Sequence, residues 1–149
     1  MQLVLFCGIQ ATGKSTFYQQ RFLHTHVRLS LDLLRTRHRE RQFLQLCLAT
    51  QMRCVVDNTN PTRAERAVYL APARAAGFEV VVYFFQSVAA DALRRNRQRP
   101  AARQVPDPGI RATRNRLELP QRAEGFDQLY FVQALANEEF AVTSWQDEI

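Results

Sequence analysis

The residues with the clearest chemical role lie in the segment GIQATGKST at positions 8–16, which contains the only lysine of the chain. The other 19 basic side chains of this 149-residue sequence are arginines. A compact ammonium can reach a bound phosphate at a place where a planar guanidinium would not fit. Gly8, Gly13, Lys14 and Ser15 also match the phosphate-loop pattern G-x-x-x-x-G-K-[ST].

The segments around this loop are those that a phosphate loop requires. The apolar run QLVLFC at positions 2–7 predicts a buried parallel strand, and positions 15–23 predict the following helix. In such a loop, backbone N–H groups surround the phosphates, the lysine reaches the β- and γ-phosphates, and the Ser15 hydroxyl is placed on Mg²⁺. The predicted nucleotide-binding residues are Gly8, Ala11, Thr12, Gly13, Lys14, Ser15 and Thr16. The pattern implies ATP or another nucleoside triphosphate together with Mg²⁺, and it leaves the phosphate acceptor open.

Two residues after the second predicted strand are candidates for the acceptor side. Asp32 could cap a helix, or it could accept the proton of an attacking hydroxyl. Its position after strand two, facing the phosphate loop, favours the second role. Arg35 is expected one helical turn further on the same face, where it could hold an acceptor phosphate or pair with Asp32.

A second acidic position follows the third predicted strand. Asp57 ends the apolar run RCVVD, which is typical of the carboxylate that holds metal-bound water in phosphate-loop proteins. It could also tie down the turn that continues through Asn58 and Thr59. The two interpretations are compatible.

The segment 94–116 is strongly basic and contains one acid, Asp107. Prolines break its centre, so we expect a mobile lid that closes arginines over the transferring phosphoryl group. The alternative is a surface that simply attracts nucleic acid. Its arginines are Arg94, Arg95, Arg97, Arg99, Arg103, Arg111, Arg114 and Arg116.

These residues need an α/β scaffold. Strands are predicted near positions 2–7, 26–30, 53–57, 78–85 and 130–132, with helices near 15–23, 33–50, 61–77, 88–96 and 110–117. The alternation implies a parallel sheet flanked by helices, whose ligands bind beyond the carboxyl ends of the strands. We expect one kinase-like phosphate-loop domain at 1–136, with the lid at about 94–116, and an acidic C-terminal tail at 137–149.

Charge and composition narrow the partner and the compartment. The net charge is +6, and the first 136 residues hold 20 basic against 10 acidic side chains, so the partner should be an anion. Nucleic acid fits, although ATP alone needs few cations. No apolar stretch is long enough to cross a bilayer and no signal peptide is recognisable, so we expect a soluble cytoplasmic protein. Cys7, Cys47 and Cys54 lie in or beside apolar segments and are expected as reduced core residues.

Several segments together resemble one family. With GIQATGKST, they cover about residues 2–132: DNTNPT at 57–62 followed by Arg63 and Arg66, RAAGFEV at 74–80, RRNRQR at 94–99, VPDPGI at 105–110 and AEGFDQL at 123–129. They resemble the kinase domain of polynucleotide 5′-hydroxyl kinases, which includes the animal and phage end-healing enzymes. DNTNP is far more restricted than the phosphate loop.

The resemblance implies transfer of the γ-phosphate of ATP, with Mg²⁺, to the 5′-hydroxyl end of DNA or RNA. Asp32 would be the general base, and Arg35 would hold the 3′-phosphate of the acceptor while Asp57 steadies it. Asn58 would join this acceptor site. Arg95 and Arg99 would contact the phosphoryl group in flight, at the ATP side.

Two features depart from the family pattern. Leu31 stands where many members carry arginine before the base, and no phosphatase or ligase motif is present, so any phosphatase or ligase would be a separate partner. The alternative is a small-molecule or zeta-toxin-like phosphate-loop kinase that acts on a nucleoside, a sugar or an antibiotic. Transfer of labelled phosphate to a 5′-hydroxyl oligonucleotide separates the two.

Overall fold

A six-stranded sheet forms the centre of the molecule. In the computed structural model, which describes residues 1–147, the strand order is β2-β3-β1-β4-β5-β6. The first five strands are parallel and β6 is antiparallel to β5. This confirms the predicted parallel sheet. The strands are β1 (Gln2–Cys7), β2 (Val27–Leu29), β3 (Cys54–Val56), β4 (Glu79–Phe85), β5 (Gln128–Ala134) and β6 (Phe140–Ser144).

Helices cover both faces of the sheet, and the central strands β1 and β4 are accordingly apolar after their first residue, apart from the partly buried Tyr83. Alternate side chains of β1 enter two different cores: Leu3 and Leu5 pack on one face, and Val4 and Phe6 on the other. The helices are α1 (Lys14–Arg21), α2 (Leu31–Leu34), α3 (Arg37–Ala49), α4 (Arg63–Ala75), α5 (Ala89–Arg97) and α6 (Asp107–Arg116). None of the helices in residues 1–147 has the length and apolar character needed to cross a membrane.

The predicted helix at 33–50 is wrong in one respect, because it is two helices. α2 ends after one turn at Arg35, whose φ of 76° lies in the left-handed region. Thr36 then starts α3, where its side chain accepts a hydrogen bond from the backbone N–H of Arg39. Arg35 is therefore not on a continuous helix with Asp32, and the expected spacing of one helical turn does not apply.

The expected acidic tail at 137–149 is also different, because its central part is a strand of the sheet. β6 pairs with β5 from Phe140 to Ser144, and Trp145 is buried against Phe84 and Phe131. Phe140 packs edge-on against Phe17 of α1. The apolar residues of this segment supply the contacts, while its acids stay exposed; Glu148 lies outside the described residues.

The three cysteines are free and buried, as expected. Burial raises the pKa of the Cys7 thiol to about 11, although nearby Arg66 and Lys14 act against this shift. The thiol is neutral at physiological pH and donates a hydrogen bond to the Asn60 carbonyl. Cys7 therefore belongs to the packed base of the phosphate loop.

The position of Phe140 predicts that β6 contributes to stability. Phe140→Ala should lower the free energy of unfolding by about 2 kcal/mol, less than the roughly 3–5 kcal/mol of a fully buried phenylalanine, because the ring is partly exposed. Leu135→Ala, at a side chain that is 51% exposed, is the control and should change it by less than about 0.5 kcal/mol. Urea denaturation measures both. Equal, small effects would mean that the segment is no more than a tail.

Candidate active site

The phosphate loop follows β1 and requires its glycines. Gly13 has a φ of 94°, and a Cβ atom there would lie 2.7 Å from the ring of Phe140. Gly8 has a φ of 151°, and its Cβ atom would lie 3.0 Å from Phe85. The Gly8 N–H donates to the Thr59 carbonyl at 2.9 Å, which joins the loop to the segment after β3. The loop is thus held from two sides.

Some side chains of the loop are buried and structural, and others remain open to solvent. The buried Thr12 hydroxyl donates to the Ile9 carbonyl at 2.9 Å, and the Ile9 N–H donates to Ser87 at 3.0 Å. Ala11 is also buried, with a φ of 60°. Any nucleotide contact by Thr12 or Ala11 therefore has to come from the backbone. Ser15 and Thr16 lie in the first turn of α1 and retain exposed surface.

Lys14 is partly buried at the start of α1. Its ammonium donates to the carbonyls of Gly8, at 3.0 Å, and Ile9, at 2.6 Å. The pKa of Lys14 is lowered to about 8, mainly by burial and to a smaller extent by Arg99, while Asp57 and Asp32 act in the opposite direction. A group that loses charge so readily gains from a bound anion, because the anion favours the protonated form. The predicted position of Lys14 as a phosphate ligand is consistent with this environment.

Asp57 stands beside the phosphate loop, at the end of β3. Its buried Oδ2 atom accepts a hydrogen bond from the Ser15 hydroxyl at 3.1 Å. A hydroxyl and a carboxylate are hard oxygen donors of the kind that Mg²⁺ uses. Ser15 and Asp57 therefore fit the predicted metal site, with Ser15 as a direct ligand and Asp57 acting through water.

The cation that neutralises Asp57 is a residue that the sequence did not reveal. Arg28 of β2 donates from Nε to Asp57 Oδ2 at 2.9 Å and from a terminal nitrogen to Ser15 Oγ at 3.1 Å. Arg35 was expected to be steadied by Asp57, but that expectation is wrong. Arg35 is exposed, and no ion pair joins it to Asp57 in the described part of the chain. A lone arginine in a short strand gives no signal of this role.

Asn58 fixes the turn that carries Asp32. Its Oδ1 atom accepts from the Leu31 N–H at 2.9 Å, and its amide donates to Glu40 Oε2 at 2.6 Å. Glu40 is buried and also accepts from the Tyr69 hydroxyl at 2.7 Å. Asn58 thus acts on the acceptor side through the backbone. Glu40 was missed because it lies in the run RHRER, which is typical of a solvated helix face.

A buried ion pair supports the backbone of the DNTNP segment at residues 57–61. Arg66 has no exposed surface, and its Nε atom lies 3.0 Å from Glu124 Oε1. The same guanidinium donates to the carbonyls of Asn60, at 3.0 Å, and Pro61, at 3.1 Å. A buried charge with this many partners fixes the backbone around it. The loop that contains Asp57 and Asn58 is therefore anchored from below.

The arginine-rich segment is partly fixed to the body. Ile110 of α6 is buried against Ile9 and Ala11 of the phosphate loop. Asn96 of α5 makes two hydrogen bonds with the backbone of Val105, at 2.6 and 2.9 Å. The segment's helical parts are thereby attached, while most of the connection between them, from residue 98 to residue 104, is exposed. Whether that connection closes as a lid stays a prediction.

Five of the eight arginines of this segment differ clearly in their contacts. Exposed Arg94, Arg97 and Arg116 pair with Asp91, Asp107 and Glu65. In contrast, Arg95 and Arg99 are partly buried and make no ion pair within residues 1–147. Arg95 donates to the Ala134 carbonyl at 3.5 Å.

Arg99 lies in the connection between α5 and α6, and its pKa responds to other charged residues of the site. Burial lowers the pKa of Arg99, the carboxylate of Asp32 acts against this shift, and Arg103 adds to it. Because the pKa of Lys14 also responds to Asp32 and Arg99, these three side chains share one electrostatic environment. Asp32 itself is exposed, in the first turn of α2.

Comparisons with solved structures agree with this arrangement. The fold is similar to that of a gluconokinase from Sinorhizobium meliloti 1021, with a TM-score of 0.62, 15% identity, and 89% of this chain and 82% of that chain covered. Kti12 from Chaetomium thermophilum, solved in complex with ADP-AlF3, has a TM-score of 0.64 at 14% identity, with 88% of each chain covered. A chain of the PezAT toxin-antitoxin system of Streptococcus pneumoniae has a TM-score of 0.65 at 12% identity, with 94% and 70% covered.

The sequence comparison extends over most of the chain. A family model described as an AAA domain matches residues 3–120, which include the phosphate loop, Asp32, Asp57 and the arginine-rich segment. The chain has the fold of a phosphate-loop kinase and belongs to this AAA domain family.

Proposed function

We propose that this chain is an ATP-dependent polynucleotide 5′-hydroxyl kinase. The observation that carries the proposal is a single sheet edge, formed by the adjacent strands β2, β3 and β1. At this edge the exposed Asp32 follows β2, Asp57 follows β3 and accepts from Ser15 at 3.1 Å, and the phosphate loop with Lys14 follows β1. An exposed carboxylate and a lysine suited to a triphosphate are thereby placed at the same edge. That pairing is what phosphoryl transfer to a hydroxyl requires.

The reaction can be written with the residues of this chain. The acceptor hydroxyl oxygen forms a bond to the γ-phosphorus of ATP, the bond from that phosphorus to the β,γ-bridging oxygen breaks, and Asp32 takes the hydroxyl proton. Lys14 and Arg99 balance the negative charge on the phosphoryl oxygens and on the ADP that leaves. Ser15 and Asp57 would hold Mg²⁺, which supplies further neutralisation of the phosphates. Asn58 keeps the Asp32 turn in place.

A polynucleotide acceptor is supported by charge and openness. The Asp32 and Arg35 side chains are both exposed at the rim, so a bulky acceptor can approach them. Most arginines of the segment 94–116 are also exposed, and a chain of net charge +6 attracts polyanions. The family resemblance through DNTNPT points the same way. A kinase for a small molecule would use the same Lys14, Asp32 and Arg99, so the acceptor alone separates the two functions.

The direct test is transfer of ³²P from γ-labelled ATP to 5′-hydroxyl DNA and RNA oligonucleotides. The matched control is the same oligonucleotide with a 5′-phosphate, which lacks the acceptor group. Nucleosides, sugars and aminoglycosides form the competing acceptor panel. Label on a small molecule but not on either oligonucleotide would replace the proposal with the small-molecule alternative.

Asp32→Asn tests the general base. The amide keeps the size of the side chain but cannot accept the proton, so kcat should fall by about 100- to 10,000-fold while ATP affinity is unchanged. Steady-state kinetics and ATP titration measure the two quantities. The control is Asp91→Asn in the first turn of α5, which makes the same change at a helix start away from the site. Equal behaviour of the two variants would reduce Asp32 to a helix-capping role.

Arg99→Ala tests whether the lid acts on the transition state. Stabilisation that exists only in the transition state lowers kcat on every acceptor, including one of dinucleotide size, and we expect a loss of about 100-fold or more.

Arg97→Ala is the control for Arg99→Ala, because Arg97 is exposed and pairs with Asp107. It should instead raise KM for long strands and reduce the salt slope of binding by about one unit. Normal turnover of a minimal acceptor by Arg99→Ala would remove Arg99 from the transition state.

A further inference from the structure

Arg28 occupies the space between the two predicted metal donors. Its Nε atom lies 2.9 Å from Asp57 Oδ2, and one terminal nitrogen lies 3.1 Å from Ser15 Oγ. Ser15 Oγ itself lies 3.1 Å from the same carboxylate oxygen. The guanidinium therefore bridges the hydroxyl and the carboxylate.

A divalent cation at Ser15 and Asp57 would compete with this guanidinium for the same oxygens. With Ser15 as a direct ligand at about 2.0–2.1 Å and Asp57 bound through a metal-coordinated water, the ion would lie within a few ångströms of Arg28, whose terminal nitrogen is 3.1 Å from Ser15 Oγ. Like charges at such a distance repel strongly near a protein surface. Asp57 is almost completely buried, with 2% of its side chain exposed, so water screens this repulsion poorly.

The backbone of Arg28 is fixed, so relief of this repulsion has to come from its side chain. Arg28 lies on β2, opposite Val55 of β3 in a parallel pair. Its side chain is 27% exposed, which leaves a path towards solvent. The guanidinium carbon also lies 5.9 Å from the centre of the Tyr18 ring, a distance at which an aromatic face still attracts a cation. Tyr18 is in turn held by its hydroxyl, which donates to the His26 carbonyl at 2.7 Å.

We propose that Arg28 is an internal competitor of Mg²⁺ for Asp57, which keeps free metal out of the site and lets Mg²⁺ enter only together with nucleotide phosphates. The inference rests on the nucleotide-binding part of the proposed function and is independent of the acceptor. Residues 1–147 contain no group of three or more His, Cys, Asp or Glu that could hold a metal alone. Water and phosphate oxygens would complete the coordination shell, and the phosphates would supply the negative charge that outweighs Arg28.

Binding of free Mn²⁺, followed by electron paramagnetic resonance without nucleotide, tests the proposal. Arg28→Gln removes the positive charge but keeps a polar side chain beside Asp57. We expect it to bind Mn²⁺ at least about tenfold more tightly than the unmodified chain. Arg53→Gln is the matched control, because it makes the same charge change at an exposed residue just before β3, at the other end of that strand from Asp57, and should leave Mn²⁺ binding unchanged.

Further variants distinguish competition between Arg28 and the metal from a purely structural role of the Arg28–Asp57 ion pair. Arg28→Met is a second neutral variant and should give the same gain, so the test does not depend on the folding of one protein. Arg28→Lys keeps the charge and should stay within about twofold of the unmodified chain. In the double variant Arg28→Gln/Asp57→Asn, the gain should disappear.

Two results would overturn the proposal. In the first, both neutral Arg28 variants bind Mn²⁺ no more tightly than Arg53→Gln does, and only their melting temperature falls. Arg28 would then be a structural partner of Asp57 and not a competitor of the metal. The other is a gain that survives in the double variant. No acceptor enters these measurements, so failure of the polynucleotide assay would leave their result intact, and the reverse also holds.

Discussion

The register of three parallel strands decides where the charged groups of the site lie. Leu5 of β1 stands beside Val56 of β3, and Val56 stands beside Leu29 of β2. Because the strands end at nearly the same level, the phosphate loop, Asp57 and the turn that carries Asp32 emerge next to one another. A slip of one residue in β3 would turn the Asp57 side chain to the opposite face of the sheet and separate it from Ser15.

Buried polar groups keep this rim in place. The Arg66–Glu124 pair anchors the carbonyls of Asn60 and Pro61, and Glu40 orients Asn58. Burying such groups is costly unless each finds partners, and here each has at least two. The cost of leaving any one of them unpaired makes alternative loop conformations unfavourable. A rigid base of this kind holds reacting groups in fixed geometry, which is where much of the rate of phosphoryl transfer originates.

The groups that would contact ligands are held less tightly than this network of buried polar side chains. Asp32 is on a single helical turn and Arg35 ends that turn in a left-handed conformation. The guanidinium of Arg28 is held by side-chain contacts alone, and Arg99 lies in the connection between α5 and α6. The site therefore combines fixed phosphate-loop and Asn58 contacts with side chains that can rearrange when anions bind. Such a division would suit the proposed function, in which a large acceptor enters and a small phosphoryl group is then surrounded.

The sequence by itself determined that β1 to β5 follow one another along the chain, that the phosphate loop follows β1, and that Asp32 and Asp57 follow β2 and β3, because these depend on local apolar runs and on a contiguous motif. Tertiary structure decided the rest. Apolar spacing alone predicts one helix through Arg35, but a new helix starts at Thr36. The strand β6 pairs with the edge strand β5, and no local sequence pattern indicates this pairing. Asp57 pairs with Arg28, 29 positions away in sequence, and Glu40 with Asn58, 18 positions away. The choice among 19 arginines as the partner of one carboxylate is made by strand register and burial, which join residues that are distant along the chain.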